Sequence, residues 1–316
     1  MRAVVMERFG GPEVLRIRRL PDPVPGPGQV LVAVEYASVT FVETQVRAGA
    51  GPAARQRPPL PRVPGNGVGG RIRTAAADAG PAPVGTTVVT TTGGTGGYAE
   101  LALARAEDVI PVPDGLTSRA ATALLADGRT AVMLHRQAAV RPGEWVLVEA
   151  AAGGVGSLLV QLAVAAGAKV VGAAAGAAKA DLVTSLGALA CVDYTRADWE
   201  RQVVELTGGG ADLVFDGVGG RLGAQGMNAV RAGGRAAIFG MAGGSWTEPP
   251  EWVTLVPDGG MPSAGQARAL SEEALALAAI GRLRPVIGQS YPLADAARAH
   301  RAIEARSTVG KTLLIP

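Results

Sequence analysis

The sequence predicts an α/β protein in which a doubly wound parallel sheet follows a separate β-rich domain. The first observation behind this is the stretch from Glu144 to Gly176, EWVLVEAAAGGVGSLLVQLAVAAGAKVVGAAAG, which reads as strand, glycine-rich turn, helix and strand. Its length suits a βαβ crossover of about thirty residues. The second is that strand and helix patterns go on alternating after it, the mark of a parallel sheet. The third is a change of texture near residue 118, before which short apolar strands are separated by runs rich in proline and glycine.

Period and punctuation predict the N-terminal elements. RAVVM, QVLVAVEYASV, GTTVVTT and YAELALA suit strands, and PDPVPGPGQ, PPLPRVPGNGVGG and GPAPVG separate them as turns. Arg55 to Pro64 carries four prolines and predicts an irregular surface loop, and the low-complexity TTTGGTGG from Thr90 to Gly97 predicts a flexible one. From Thr117 the period turns helical: the alanine-rich run Ser118 to Ala139 has Thr117 or Ser118 as its N-cap, and Arg141, Pro142 and Gly143 stop it. Trp145 to Val148 and Lys169 to Gly172 are short apolar runs of the kind doubly buried strands need. Helices are then expected over Lys179 to Leu186 and Trp199 to Leu206, with strands over Ala190 to Asp193, Asp212 to Phe215 and Arg235 to Phe239. Gly240 to Gly265 is poor in regular patterns; Ser271 to Ile280 and Leu293 to Arg306 predict helices, and Thr312 to Ile315 a closing strand.

A chain of 316 residues suggests about two domains. The net charge of +3 comes from scattered arginines, and aromatic residues make up only 4%, so the basic stripe with stacking aromatics that nucleic-acid binding needs is missing. The apolar run closest to a membrane span, Leu158 to Ala178, is broken by Gln161, Gly167 and Lys169, and the N-terminus lacks the apolar core of a signal peptide. A cytoplasmic protein without membrane association is expected. The single cysteine, Cys191, excludes intramolecular disulfides and a multi-cysteine zinc cluster, and in ACVDY it reads as a buried, inert thiol on a strand.

In AAAGGVG, Ala151, Gly153 and Gly156 keep the spacing of the dinucleotide fingerprint with alanine in the first glycine place, and Gly154 and Val155 lie between the last two. Such a turn lets the backbone approach a pyrophosphate at the helix N-terminus. Spacing alone is weak among 45 glycines. The strand before it and the helix after it give it meaning; the alternative is a tight turn holding no ligand.

Read as a whole, the chain resembles the zinc-independent branch of the medium-chain dehydrogenase/reductase superfamily, its quinone oxidoreductase and enoyl reductase group. The resemblance rests on GYAE at Gly97, RPGEWVLVEAAAGGVG from Arg141, LGALACVDY ending at Tyr194, DLVFDGVGG from Asp212, GGRAAIFG from Gly233 and AHRAIEARSTVGKTLLIP from Ala299. It implies a GroES-like catalytic domain over 1–117 completed by 266–316, and a Rossmann domain over 118–265. It also implies a homodimer built on Rossmann edge strands, around Ala232 to Val256. Zinc-dependent relatives carry cysteine, histidine and glutamate in loops that here read Ser38 to Thr40 and Pro64 to Gly67, so no metal is expected. His135 and His300 are expected to serve structure.

For the cofactor, the resemblance implies NADPH. A NAD-preferring fingerprint places an acid about twenty residues on, where Gly172 to Gly176 has none. Lys179 and Tyr194 match the family's 2′-phosphate contacts; the alternative for Lys179 is a solvated residue of the first helical turn. The resemblance also places Thr130, Val218, Phe239, Gly240 and Lys311 near the cofactor, with pairing to a surface carboxylate as the alternative for Lys311.

No activated nucleophile or carboxylate pair stands out, so hydride from NADPH is expected to carry the chemistry, passing to an α,β-unsaturated carbonyl or a quinone. The family pattern is broken where substrate would bind: Thr40 and Glu43 stand where relatives have an asparagine and, three residues on, an aspartate, Tyr36 stands where small residues are common, and Ala126-Asp127-Gly128-Arg129 lacks a typical asparagine. Tyr36, Thr40, Asp127 and Arg129 are therefore candidate substrate-facing groups, drift or core positions being the alternative. The composition, rich in Ala, Gly and Arg, suggests an enone of bacterial secondary metabolism. A quinone reductase and an NADPH-binding protein without turnover are the other readings.

Overall fold

The computed structural model describes residues 1–51, 58–80 and 83–316. Two units, Met1–Ala126 with Ala264–Pro316 and Asp127–Ser263, part inside a long helix that runs unbroken from one into the other. The change in sequence texture lies at the start of that helix.

The first unit opens with β1 (Arg2–Met6) antiparallel to β2 (Leu15–Arg19). Then come β3 (Gln29–Val39), α1 (Phe41–Ala48), β4 (Gly67–Ala75), β5 (Thr87–Thr91), β6 (Leu101–Arg105), β7 (Ile110–Pro111) and α2 (Ser118–Ala138). Within the second unit lie β8 (Trp145–Glu149), α3 (Gly154–Ala165), β9 (Lys169–Ala174), α4 (Ala177–Ser185) and β10 (Ala190–Asp193). It continues with α5 (Trp199–Thr207), β11 (Ala211–Asp216), α6 (Gly220–Asn228), β12 (Val230–Ile238) and β13 (Thr254–Leu255). The chain closes in the first unit with α7 (Ala264–Ala279), β14 (Gln289–Pro292), α8 (Ala296–Glu304) and β15 (Thr312–Ile315).

β3 is the hub of the first unit. Its length lets it pair antiparallel with β4 and β6, and β15 joins it at Leu313 opposite Ser38, so the C-terminal tail completes the N-terminal sheet. Val30, Val32, Ile72 and Val88 form one buried cluster, and Val4, Met6, Tyr98 and Leu314 belong to another. In the second unit six parallel strands run in the order β10-β9-β8-β11-β12-β13. β8, β9 and β11 are buried almost throughout, and strands buried on both faces explain their near-continuous apolar sequences.

Several expectations shift at their edges. The helix expected from Ser271 begins at Ala264, because Gln266, Ala267, Arg268 and Ala269 are good helix formers without an apolar period. Leu293 starts a short 3-10 turn and the α-helix follows at Ala296. The proline-rich loop expected over Arg55 to Pro64 lies partly outside the described residues, as does the turn GPAPVG. The stretch Thr90 to Gly97 is tied to the loop before β4: Gly94 N–H donates to Asn66 Oδ1 at 2.7 Å, and Gly96 N–H to the Val63 carbonyl at 2.8 Å. Among the described residues no helix is long and apolar enough to cross a membrane.

Candidate active site

Parallel strands deliver their following loops to one edge of the sheet. From β8 the chain winds outward to β10 on one side, and from β11 to β13 on the other. The winding reverses between β8 and β11, and open α/β sheets bind ligands at such a point, beyond the C-terminal strand ends. The predicted nucleotide residues of the second unit emerge there.

After β8, Ala150 takes a positive φ of 49°, and the Gly153 N–H closes the turn on the Ala150 carbonyl at 2.8 Å. Gly153 is the N-cap of α3, and Gly154, Val155 and Gly156 form its first turn without a side-chain cap or an acidic residue. A Cβ on Gly156 would stand 2.3 Å from the Ala150 oxygen, so only glycine lets the helix lie this close to the strand end. Ala151 is fully buried. An uncapped helix end with no acid in its first turn fits a bound pyrophosphate.

After β9, Gly176 has φ of 82° with open space around it, and Lys179 lies in the first turn of α4, which carries no acid. One carboxylate does sit here: Asp193, at the end of β10, accepts from the Gly176 N–H at 3.3 Å and from Thr195 N–H at 2.9 Å. The Thr195 hydroxyl and N–H, with Gly176, hold it below the usual carboxylate range. An aspartate two residues before a threonine is an Asx-turn signal that pattern reading passed over. Tyr194 packs against the core cluster under the sheet.

The loops after β11 and β12 meet. Asp216 Oδ1 accepts from Val218 and Gly219 N–H, both at 2.8 Å, while the Phe239 and Gly240 N–H groups donate to its carbonyl at 2.9 and 3.2 Å. A Cβ on Gly240 would lie 2.2 Å from the Gly217 oxygen, so glycine is required for this approach. Val218, Phe239 and Gly240 are thus brought together. Asp127, Arg129 and Thr130 follow one another on α2; burial lowers the Arg129 guanidinium and the charge of Asp127 opposes that shift.

Tyr36, Thr40 and Lys311 belong to the first unit. The β3–β4 register shifts between Val34 and the half-buried Tyr36. Thr40 is the N-cap of α1: its hydroxyl accepts from Glu43 N–H at 3.4 Å, and its own N–H donates to Glu43 Oε2 at 2.7 Å, a capping box. Glu43 also accepts from Asn66 N–H at 2.9 Å and from the Tyr98 hydroxyl at 3.2 Å. Burial raises the Glu43 carboxyl above its ordinary range, although these bonds and the charge of Lys311 oppose it. Lys311 is only 3% exposed, and its charge acts on the Glu43 carboxyl.

The Tyr98 hydroxyl also lies 3.0 Å from His300 Nε2, and buried Arg47 donates to the Gly10 carbonyl and to Glu304. In the sequence Glu43 stands out only as a departure from the family pattern and Tyr98 only within GYAE, and Arg47 is not singled out, although T-x-x-E ahead of a helix was there to be read as a capping box. Burial, with a smaller contribution from Arg47, pushes His300 down to about 3, so it is a neutral interior histidine. Burial pushes the Cys191 thiol up to about 11, which keeps it unreactive. Among the described residues no group of three or more His, Cys, Asp or Glu is arranged to hold a metal. An open cavity of about 770 Å³ in the first unit, lined by Ile72, Asp78, Arg105 and Arg268 among others, contains none of the candidate residues.

Residues 26–114 match the alcohol dehydrogenase GroES-like domain, and residues 154–255 match the family model described as zinc-binding dehydrogenase. A quinone oxidoreductase of Pseudomonas aeruginosa is 33% identical, the match covering 98% of this chain and 97% of that protein. A 2-haloacrylate reductase of a Burkholderia species is 30% identical over 99% of this chain and 98% of its own length. The Escherichia coli quinone oxidoreductase solved in complex with NADPH superposes with a TM-score of 0.90 at 28% identity, covering all of both chains. With the GroES-like and Rossmann parts each matched in place and full-length relatives above 30% identity, the chain belongs to the medium-chain dehydrogenase/reductase superfamily, in its quinone oxidoreductase group.

Proposed function

We propose that this protein is an NADPH-dependent reductase acting on an α,β-unsaturated carbonyl compound. The observation that carries the reading is the strand-end edge at the β8/β11 reversal: an uncapped glycine turn for the pyrophosphate and, after β9, the cation Lys179 with no acid in the first turn of α4. The E. coli neighbour was solved with NADPH on the same fold, which supports this choice. Bound there, the reduced nicotinamide supplies hydride. The chain's part is to hold the pyrophosphate on α3, meet the 2′-phosphate with Lys179 and Tyr194, and line the far end with Val218, Phe239 and Gly240. Thr130 and Lys311 are assigned to the nicotinamide end by family resemblance. Tyr36, Thr40, Asp127 and Arg129 remain the groups proposed to orient the substrate oxygen and deliver a proton.

The 2-haloacrylate reductase relative supports the unsaturated-carbonyl reading, since an acrylate is an α,β-unsaturated acid. The name of the P. aeruginosa relative supports a second reading, quinone reduction. Loss of NADPH absorbance with enones, enoyl thioesters, acrylates and quinones separates the two when products are identified. A saturated carbon–carbon bond supports the first reading and a hydroquinone the second; binding without turnover on any of them leaves a nucleotide-binding protein.

A homodimer is proposed through the β13 edge of the parallel sheet. Its supports are the two-residue edge strand with exposed Leu255 and the half-exposed Trp246 and Trp252 beside it. Light scattering gives the mass in solution, and a monomer would dismiss this.

A further inference from the structure

The reversal point of the sheet holds two acids that the nucleotide reading leaves unused. Phe215 pairs with Val148, so the next residues, Asp216 and Glu149, end neighbouring parallel strands spaced about 4.8 Å apart. By strand alternation Glu149 shares a face with Leu147, and Asp216 with Val214. Both apolar residues belong to the cluster of Trp199 and Met227, beneath α5 and α6. Glu149 is 1% exposed and Asp216 fully buried.

The fold makes room for this pair. A Cβ on Gly226 of α6 would stand 1.8 Å from Glu149 Oε1, and one on Gly223, a turn earlier, 2.4 Å from Asp216 Oδ2. Glycine is disfavoured inside a helix relative to alanine, yet α6 carries both on the face that covers the acids. Asp216 accepts from Val218 N–H, Gly219 N–H and the Thr247 hydroxyl, the donor set of a carboxylate. Treated as a second carboxylate, Glu149 has no donor for either oxygen. A proton on Glu149 resolves this, because the acid then has Asp216 as its acceptor. Burial first, then the charge of Asp216 and the hydrogen bond to it, hold the Glu149 carboxyl well above its ordinary range.

We propose that Glu149 is a positioning residue: kept as a neutral acid, it donates a hydrogen bond to Asp216 and so ties the Asp216–Gly219 turn to the strand end that carries the fingerprint. The positioning half of this rests on the NADPH reading above; the shared proton does not. Of the ionisable groups on the elements packed against the pair, Arg201 and Glu205 on α5, Arg221 on α6 and Glu248 beside Thr247 are exposed, and Glu200 on α5 is half-buried. Only the Asp216 charge acts on Glu149. A carboxyl raised in the folded state stabilises fully below its unfolded value. That stabilisation is lost as pH climbs from the ordinary 4.5 through the folded value.

The test compares the unliganded wild type with Glu149→Gln, which keeps a donor but cannot ionise, and with Glu149→Leu, which keeps volume without a donor. Denaturation from about pH 5 to about pH 9 reads the proton. The wild type should lose stability relative to Glu149→Gln as pH rises, and parallel profiles would overturn the shared proton. NADPH titration by fluorescence reads the positioning. Glu149→Gln should bind within about twofold of the wild type and Glu149→Leu about tenfold more weakly, the loss of one buried hydrogen bond. Equal affinity in Glu149→Leu would overturn the positioning role. If that variant does not fold, a Glu149→Gln affinity more than about tenfold weaker overturns it instead. A wild type that does not bind NADPH sinks the cofactor reading, while the pH profile still decides the proton.

Discussion

Tyr98 donates its hydroxyl hydrogen to Glu43 Oε2 across 3.2 Å, and the Tyr98 hydroxyl oxygen accepts from His300 Nε2 at 3.0 Å. That assignment puts the imidazole proton on Nε2 and leaves Nδ1 without a partner. Protonating Nδ1 would bury a cation near Arg47. A histidine held near 3 in the fold and near 6.5 when unfolded contributes stability that is present above 6.5 and lost as pH falls toward 3. Wild type should therefore lose stability relative to His300→Asn by about 1.4 kcal/mol per pH unit on acidification through this window. Urea denaturation of the pair across that range measures it, and equal slopes would contradict the neutral-histidine assignment.

Thr40 has a capping role visible in the fold and a proposed substrate role. Thr40→Ala should cost about 1 kcal/mol in chemical denaturation, and Thr40→Ser should restore most of it. Turnover that tracks only the folded fraction assigns Thr40 to the cap; a separate fall in kcat would return it to the reaction.

Lys179 lies in the first turn of α4, just after Gly176, whose N–H donates to Asp193, so if Lys179 meets a 2′-phosphate its charge must outweigh that carboxylate. Lys179→Ala should raise the Kd for NADPH about tenfold and leave that for NADH within about twofold, the loss of one charge-assisted contact. Equal loss for both nucleotides would show that Lys179 does not read the phosphate.

Tyr36 lies on β3 at a register shift against β4. If it delivers the proton, Tyr36→Phe lowers the rate at saturating substrate by about 10²-fold while NADPH affinity stays put. A rate unchanged under those conditions removes it from the reaction.

Much of this molecule is legible along the chain, because the relevant signals are local. Short apolar strands, the AAAGGVG turn and the helix that follows need only neighbours a few residues away, and so the order of elements in the second unit follows from period and punctuation. The missing acid after β9 is local too. Where α7 begins was not legible, since its first turns have helix propensity without an apolar face.

What only the tertiary structure decided are the contacts between residues far apart in sequence. Glu43, Tyr98 and His300 come from three separate segments, and no spacing rule joins them. That Lys311 is buried and that its charge acts on Glu43 depends on β15 folding beside β3. Glu149 and Asp216 each stood one residue beyond an expected apolar strand. Pairing β8 with β11 made them neighbours, and closing α6 over them removed the water that would have kept both charged. Local sequence sets which conformations a segment prefers; burial and long-range pairing set the charge and partners of the groups it carries.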